Sequence, residues 1–244
     1  MVDEKKDLEL KQEGAIAPRI SGKDNIPAGF DDIEDGDIKM PRLSILQGMS
    51  DSVANGNAKM GQLSNTLTKE IYGSSIDIIP LFMFKSRAQF EVSRGLVMMS
   101  RDNQLVTMAI DEFEQYLDKP VEEVPGAGWE GNTPPTLNLV YNFPVMVVGR
   151  MNEFPVSLSM MRTAVKTAKM FLSMARFSGE DMFARVYTLT SEIVKGDKGT
   201  YAVPVINFLR RCDDNEYATA KKFFDMLYRR KKDIDVDLQE EVTE

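Results

Sequence analysis

Apolar and polar positions alternate with period two around residues 82–93, and the pattern switches twice to a helical period in the second half of the chain. From Ile76 the pattern is strongly β: Phe82, Phe84, Ala88, Phe90 and Val92 hold even positions. Lys85, Arg87, Gln89, Glu91 and Ser93 hold odd ones, as in a strand with one dry and one wet face. Gly95 permits a turn, and residues 96–100 return as a second strand. Upstream, residues 40–50 predict the first ordered strand, followed by a loop or hairpin with a turn signal at Asn55-Gly56. Residues 111–118 predict a short helix. Residues 119–135 hold four of the eleven prolines and three glycines, which predicts a long loop. Strands are expected at 136–149 and 154–159.

The period changes over residues 160–177. Met161, Ala164, Val165, Ala168, Phe171, Leu172 and Ala175 fall on one helical face, with Gly179 as the stop. Two strands, 182–194 and 199–209, follow as a hairpin. A closing helix begins at Asp213, Asp214 or Asn215 and runs to about Lys232. Its Tyr217, Ala220, Phe224 and Leu227 form one docking stripe. Strands, a helix, two strands and a final helix predict a mainly β, α+β domain. The expected architecture is an OB-like, partly open antiparallel barrel with an inserted helix and a C-terminal helix.

Charge divides the chain in three. Residues 1–37 carry a net −6 and residues 233–244 another −6 in a chain of net −8, so residues 38–232 are net +4. The expected organisation is a disordered acidic segment (1–37), one nucleic-acid-binding domain (38–232) and an acidic tail (233–244). The 244 residues suffice for a real core. No apolar run reaches membrane-helix length, and the charged N-terminus lacks a secretory h-region. A single cysteine, Cys212, suits a reducing compartment, so a cytoplasmic location is expected.

The chain has no histidine. That removes the commonest general base and the commonest zinc ligand. The run DDIEDGD fails as a calcium loop, because Ile33 and Arg42 stand where ligands are needed. Gly-rich phosphate loops, CxxC and GxSxG are absent. The expectation is a non-enzymatic protein without cofactor or metal.

Three features point instead to a polyanion. On an ideal helix Arg162, Lys166, Lys169 and Arg176 fall within an arc of about 80°. No acid occurs from Val156 to Gly179, as a phosphate-contacting stripe requires. On the strand 183–189, Phe183, Arg185 and Tyr187 share a face, with Tyr201 on the next strand. Rings beside cations are what stacking of unpaired bases uses. Lys85 and Arg87, with Arg94 and Arg101 nearby, extend the same positive surface. The tail after the cluster Arg229–Lys232 is suited to compete with nucleic acid or to meet replication proteins.

Three stretches carry a resemblance: PRLSILQG (41–48), MGQLSNTLTKEIYG (60–73) and YTLTSEIVKGDKGTYAVPV (187–205). They resemble phage-encoded single-stranded-DNA-binding proteins over most of residues 40–232. The resemblance implies an OB-like body and a role in DNA replication or recombination, and it assigns no individual binding residues. The acidic tail is similar to those of such binders but ends Val-Thr-Glu rather than on an aromatic. The expected function is therefore non-sequence-specific binding of single-stranded DNA. A protein-interaction or virion-associated accessory role is the alternative.

Overall fold

The computed structural model describes residues 39–91, 95–101, 104–108, 119–132, 135–196, 199–229, 231, 234–236 and 238. The expected acidic segment 1–37, the expected helix 111–118 and Arg94 lie outside these residues.

The fold is organised by strand β9 (Asn138–Val147), whose residues Val140 to Met146 are all buried. A strand covered on both faces must be apolar on both, and here Phe143, Val145 and Met146 are consecutive or nearly so. One edge of β9 pairs antiparallel with β10 (Val156–Met161). Its other edge is shared between two partners. Asn138 to Asn142 pair with β6 (Phe84–Glu91), and Val145 to Val147 pair with β5 (Ser75–Pro80). Pro144 sits between the two ladders, where a residue without an N–H is tolerated. Its carbonyl accepts from the Leu81 N–H at 2.8 Å.

The sheet therefore forks at Pro144. One arm continues from β6 through β7 (Gly95–Arg101) to β8 (Gln104–Met108). The other continues from β5 through β11 (Arg185–Gly196) to β12 (Gly199–Arg211). A separate three-stranded sheet is built from β2 (Leu43–Ile45), β3 (Leu63–Asn65) and β4 (Ile71–Gly73). A four-residue helix, α1 (Asp51–Ala54), lies between β2 and β3. The sheets are mainly antiparallel and do not close into a barrel, in line with the open OB-like expectation.

Each face of the forked sheet has its own helix. Val140, Met146, Ile79 and Val186 pack with Ala220 and Leu227 of α3 (Asp214–Tyr228). The alternate residues Tyr141, Phe143, Val145, Ile78 and Tyr187 pack with Ala168 and Phe171 of α2 (Val165–Phe177). The Phe171 ring lies 5.0 Å from that of Phe143 and meets Tyr187 edge-on at 4.9 Å.

The α2 start differs from the sequence expectation. Met160 is buried and extended, so β10 runs on to Met161. A 3-10 turn (Arg162–Ala164) intervenes before the helix. Gly179 ends it as expected, in the left-handed conformation at φ +70° that suits glycine.

The tail expectation also changes. Ile234, Val236 and Leu238 are buried at period two in the α3-side core. Strand β13 (Asp235–Val236) pairs parallel with β1 (Lys39–Met40). The ordered body therefore extends to Leu238. The acids alternate with anchors, and composition alone hid that pattern.

α3 opens on a capping box. The Asp213 carboxylate accepts from the Glu216 N–H at 2.8 Å, and the Glu216 carboxylate accepts from the Asp213 N–H at 3.0 Å. Glu216 also accepts two bonds from Arg210, at 2.6 and 2.7 Å. The Arg210 guanidinium holds the Glu216 carboxyl below its ordinary value of 4.5. A depressed carboxylate stabilises the fold at neutral pH and loses that contribution as pH falls below the ordinary value. Glu216→Gln is expected to cost about 1 kcal/mol at pH 7 and to flatten stability against pH below about 4.5. Urea titrations at pH 7 and pH 3.5 check both. Phe171→Ala, which empties the α2-side core, is expected to cost about 3–5 kcal/mol in the same assay.

Candidate nucleic-acid interface

The outer strands β10 and β12 of the forked sheet both contact the β2–β4 sheet through β2. That small sheet is clasped to both. On the β10 side, the Ser157 N–H donates to the Pro41 carbonyl at 2.8 Å, and Arg42 bridges Ser157 in parallel. On the β12 side, a side chain stands in for a strand. The Gln47 amide nitrogen donates to the Ala202 carbonyl at 3.1 Å, and its oxygen accepts from the Ala202 N–H at 2.9 Å. The Ser191 hydroxyl adds a bond to the Gly61 carbonyl at 2.7 Å. A Cβ on Gly61 would stand only 2.6 Å from that hydroxyl oxygen, so the tether requires glycine.

A cleft of about 580 Å³ opens between these elements. Arg42, Lys69 and Arg162 line it, with Ser44, Ser64, Asn65, Thr66 and Ser159, and Tyr201 on the β12 wall. No aspartate or glutamate is among its described lining residues, in a chain with 38 acids.

Lys69 and Arg162 are the described non-glycine residues with positive φ, at 58° and 51°. The left-handed region costs an L-residue roughly 1 kcal/mol or more. Local bonds impose it on Lys69. Asn65, itself buried, accepts from the Leu67 and Thr68 N–H groups at 2.9 and 3.2 Å. Its carbonyl accepts from the Lys69 N–H at 2.9 Å. Arg162 stands at the junction of β10 and the 3-10 turn.

The basic stripe follows from this junction. Lys166, Lys169 and Arg176 are exposed on α2, and Arg162 is exposed at the cleft. Lys166 to Arg176 span about 15 Å of helix axis. Because Arg162 precedes the α-helix and is left-handed, it does not sit at the ideal helical angle expected from sequence. It joins the stripe to the cleft. Phe177, 87% exposed, and Met170 stand beside the cations.

Other expected site residues are placed differently. Phe183 and Tyr187 are corrected to core: they are 6% and 0% exposed. Phe183 belongs to a 3-10 turn (Met182–Ala184) and packs on Tyr217 and Phe224 of α3. Burial leaves neither ring a face for a base. Arg185 is committed internally. Its Nε donates to Glu180 at 2.6 Å, and its guanidinium covers the Phe208 ring at 4.8 Å. The Arg185 bond, with Arg211 also on the carboxylate, holds Glu180 below the ordinary range. Lys85 is exposed, 5.5 Å over the Tyr141 ring on the α2 face. Arg87 donates to the Ala127 carbonyl at 3.2 Å, so it braces the loop after Lys119. Of the expected residues, the structure brings Arg162 and Tyr201 into one cleft.

Arg42 and Lys69 were not legible as site residues. Lone cations in strand–turn segments carry no period, and only the Asn65 turn brings Lys69 to the cleft.

A family model for the Pam3 phage gp34-like protein matches residues 11–232. The chain belongs to the Pam3 phage gp34-like family. The match takes in the forked sheet, both long helices and the cleft. No curated protein and no solved structure matches the chain. Membership in the gp34-like family makes this a phage protein. Among the described residues no helix is long and apolar enough to cross a membrane, and no group of three or more Cys, Asp or Glu residues could hold a metal ion.

Cys212 is half-buried, its thiol 3.4 Å from the Phe183 carbonyl, and burial pushes its pKa up to about 12. A thiol reagent at pH 8 is expected to leave Cys212 unmodified in the folded protein and to react once denaturant is added. Rapid native labelling would contradict the half-buried placement and the raised pKa.

Proposed function

We propose that this phage protein binds single-stranded DNA without sequence specificity, in DNA replication or recombination. One observation carries the reading. No acid is among the described residues that line the cleft and none occurs along residues 156–179, where Arg162 at the cleft is followed by the exposed α2 cations Lys166, Lys169 and Arg176. Phosphates follow such a surface by charge alone. Of the rings expected from sequence, Tyr201 lines the cleft, and the exposed Phe177 at the end of the stripe takes the place of the buried Phe183 and Tyr187. Ala164, the N-cap of α2, lines the cleft, and a helix dipole favours anions at that end.

The α2 stripe can be tested without unfolding the domain, because the helix docks through Ala168, Phe171 and Ala175 on its other side. The combined Lys166→Gln, Lys169→Gln, Arg176→Gln variant is expected to bind a labelled thirty-nucleotide oligo-dT far more weakly. The slope of log affinity against log salt should become shallower by about 0.7 for each phosphate that is no longer neutralised. Fluorescence anisotropy at several salt concentrations reads both quantities. Unchanged affinity and slope would remove the stripe from the interface. Absence of any oligonucleotide binding by the unaltered protein would turn the assignment to capture of a partner protein.

A further inference from the structure

We infer that the loop between Lys119 and Leu137 of one copy docks, through Trp129 and its carboxylates, onto the cationic face of α2 of a second copy. The contact stands on these two surfaces alone. Its competition with DNA for the Lys166–Arg176 stripe rests on the single-strand reading above.

Trp129 is the one tryptophan of the chain and is 70% exposed. The loop that carries it is braced. Val124, Ala127 and Leu137 are buried. The Arg87 guanidinium donates to the Ala127 carbonyl at 3.2 Å, and the Leu137 N–H closes the loop on the Gly126 carbonyl at 3.1 Å. The Thr136 hydroxyl donates to the Gln89 side chain at 2.9 Å. A large ring on a fixed support loses little entropy on docking, which is what an interface anchor requires. Glu123 and Glu130 are exposed in the same loop, and neither is ion-paired among the described residues. In the sequence, residues 111–130 hold seven acids against one base, Lys119.

α2 is the complement in sign and in apolar content. Residues 156–179 hold four bases and no acid. Lys166, Lys169 and Arg176 are exposed, and none is ion-paired among the described residues. Met170 and Phe177 are exposed on the same helix. A tryptophan there meets apolar side chains and cations together, and its ring face attracts a lysine or arginine more strongly than that of any other side chain.

The two surfaces meet between copies. Within one chain the loop is braced on β6, whereas α2 packs against β9, β10 and β12, and the exposure of the Trp129 ring shows that its own α2 does not cover it. The contact is heterologous: each copy gives its loop to one neighbour and its α2 to another. It joins a loop tip to one helix face, so it belongs with the small, transient interfaces. A phosphate strand laid along α2 takes up the same cations, so DNA and the loop exclude each other.

The test is sedimentation velocity of the full chain, with Trp129 emission recorded on the same samples. At low salt, species larger than a monomer are expected to grow with protein concentration while the emission moves to shorter wavelength. High salt should reverse both. Trp129→Ala, and separately the combined Glu123→Gln, Glu130→Gln variant, should weaken association roughly tenfold. Both should keep their affinity for oligo-dT, measured at protein concentrations too low for association. The combined Lys166→Gln, Lys169→Gln, Arg176→Gln variant should lose association and oligo-dT binding together, and Lys222→Gln on α3 should change neither. The decisive arm mixes Trp129→Ala with that triple variant. One keeps a working α2 and the other a working loop, so the mixture should form a one-to-one complex although each alone stays monomeric. Oligo-dT added to the associated wild-type protein should disperse it and return the emission to longer wavelength.

A monomer at every concentration would overturn the inference, as would association indifferent to these substitutions or a variant mixture that stays monomeric. If oligo-dT shifts the Trp129 emission of monomeric protein to shorter wavelength, the ring belongs to the DNA surface and the contact between copies falls. Oligo-dT binding by a strictly monomeric protein removes the contact and keeps the single-strand reading. Association without oligo-dT binding does the reverse.

Discussion

The shared edge of β9 governs the rest of the molecule. A strand normally offers one ladder to each side, but β9 gives one side to β10 and divides the other between β5 and β6 at Pro144. Two arms then diverge from a single buried strand, and each of its faces must be apolar to accept a helix. α2 docks on one face and α3 on the other. The arm carrying β11 and β12 does not pair with β10. The β2–β4 sheet spans the space between them, and the cleft is what remains.

This origin explains the cleft's electrostatics. Its residues come from strand ends, a hairpin turn and a strand–helix junction, not from one element. The clasps use main-chain groups of Pro41, Ser157, Gly61 and Ala202, and Lys69 projects from a turn whose conformation the Asn65 bonds set. Two of the described acids are engaged with arginines elsewhere. Glu216 caps α3 and binds Arg210, and Glu180 neutralises Arg185 and Arg211. The cationic surface is therefore defined as much by where carboxylates are tied down as by where arginines and lysines stand.

Periodicity made the main elements legible. The alternation around Ala88, the stripe Ala168–Phe171–Ala175 and the face Ala220–Leu227 all resolve into the expected strand and helices. Pattern failed where burial was two-sided. Phe183 and Tyr187 looked like one exposed face because the sequence does not say that helices cover both sides of β11 and its approach. It failed again where long-range pairing decides, as for the Gln47 amide taking a strand's place beside Ala202. Lys69 was hidden for a third reason. Its position depends on the Asn65 turn, and a lysine in a left-handed conformation leaves no mark in composition.

The docking of β13 beside β1 bears on how the acidic C-terminal end can be studied. Ile234, Val236 and Leu238 are interleaved with Asp233, Asp235 and Asp237, so cutting the chain at Lys232 would strip hydrophobic anchors together with the acids. A truncated protein that behaved differently toward a polyanion would be reporting a damaged interior as well as an altered charge. Neutralising the carboxylates one by one, with the aliphatic side chains left in place, separates the two effects.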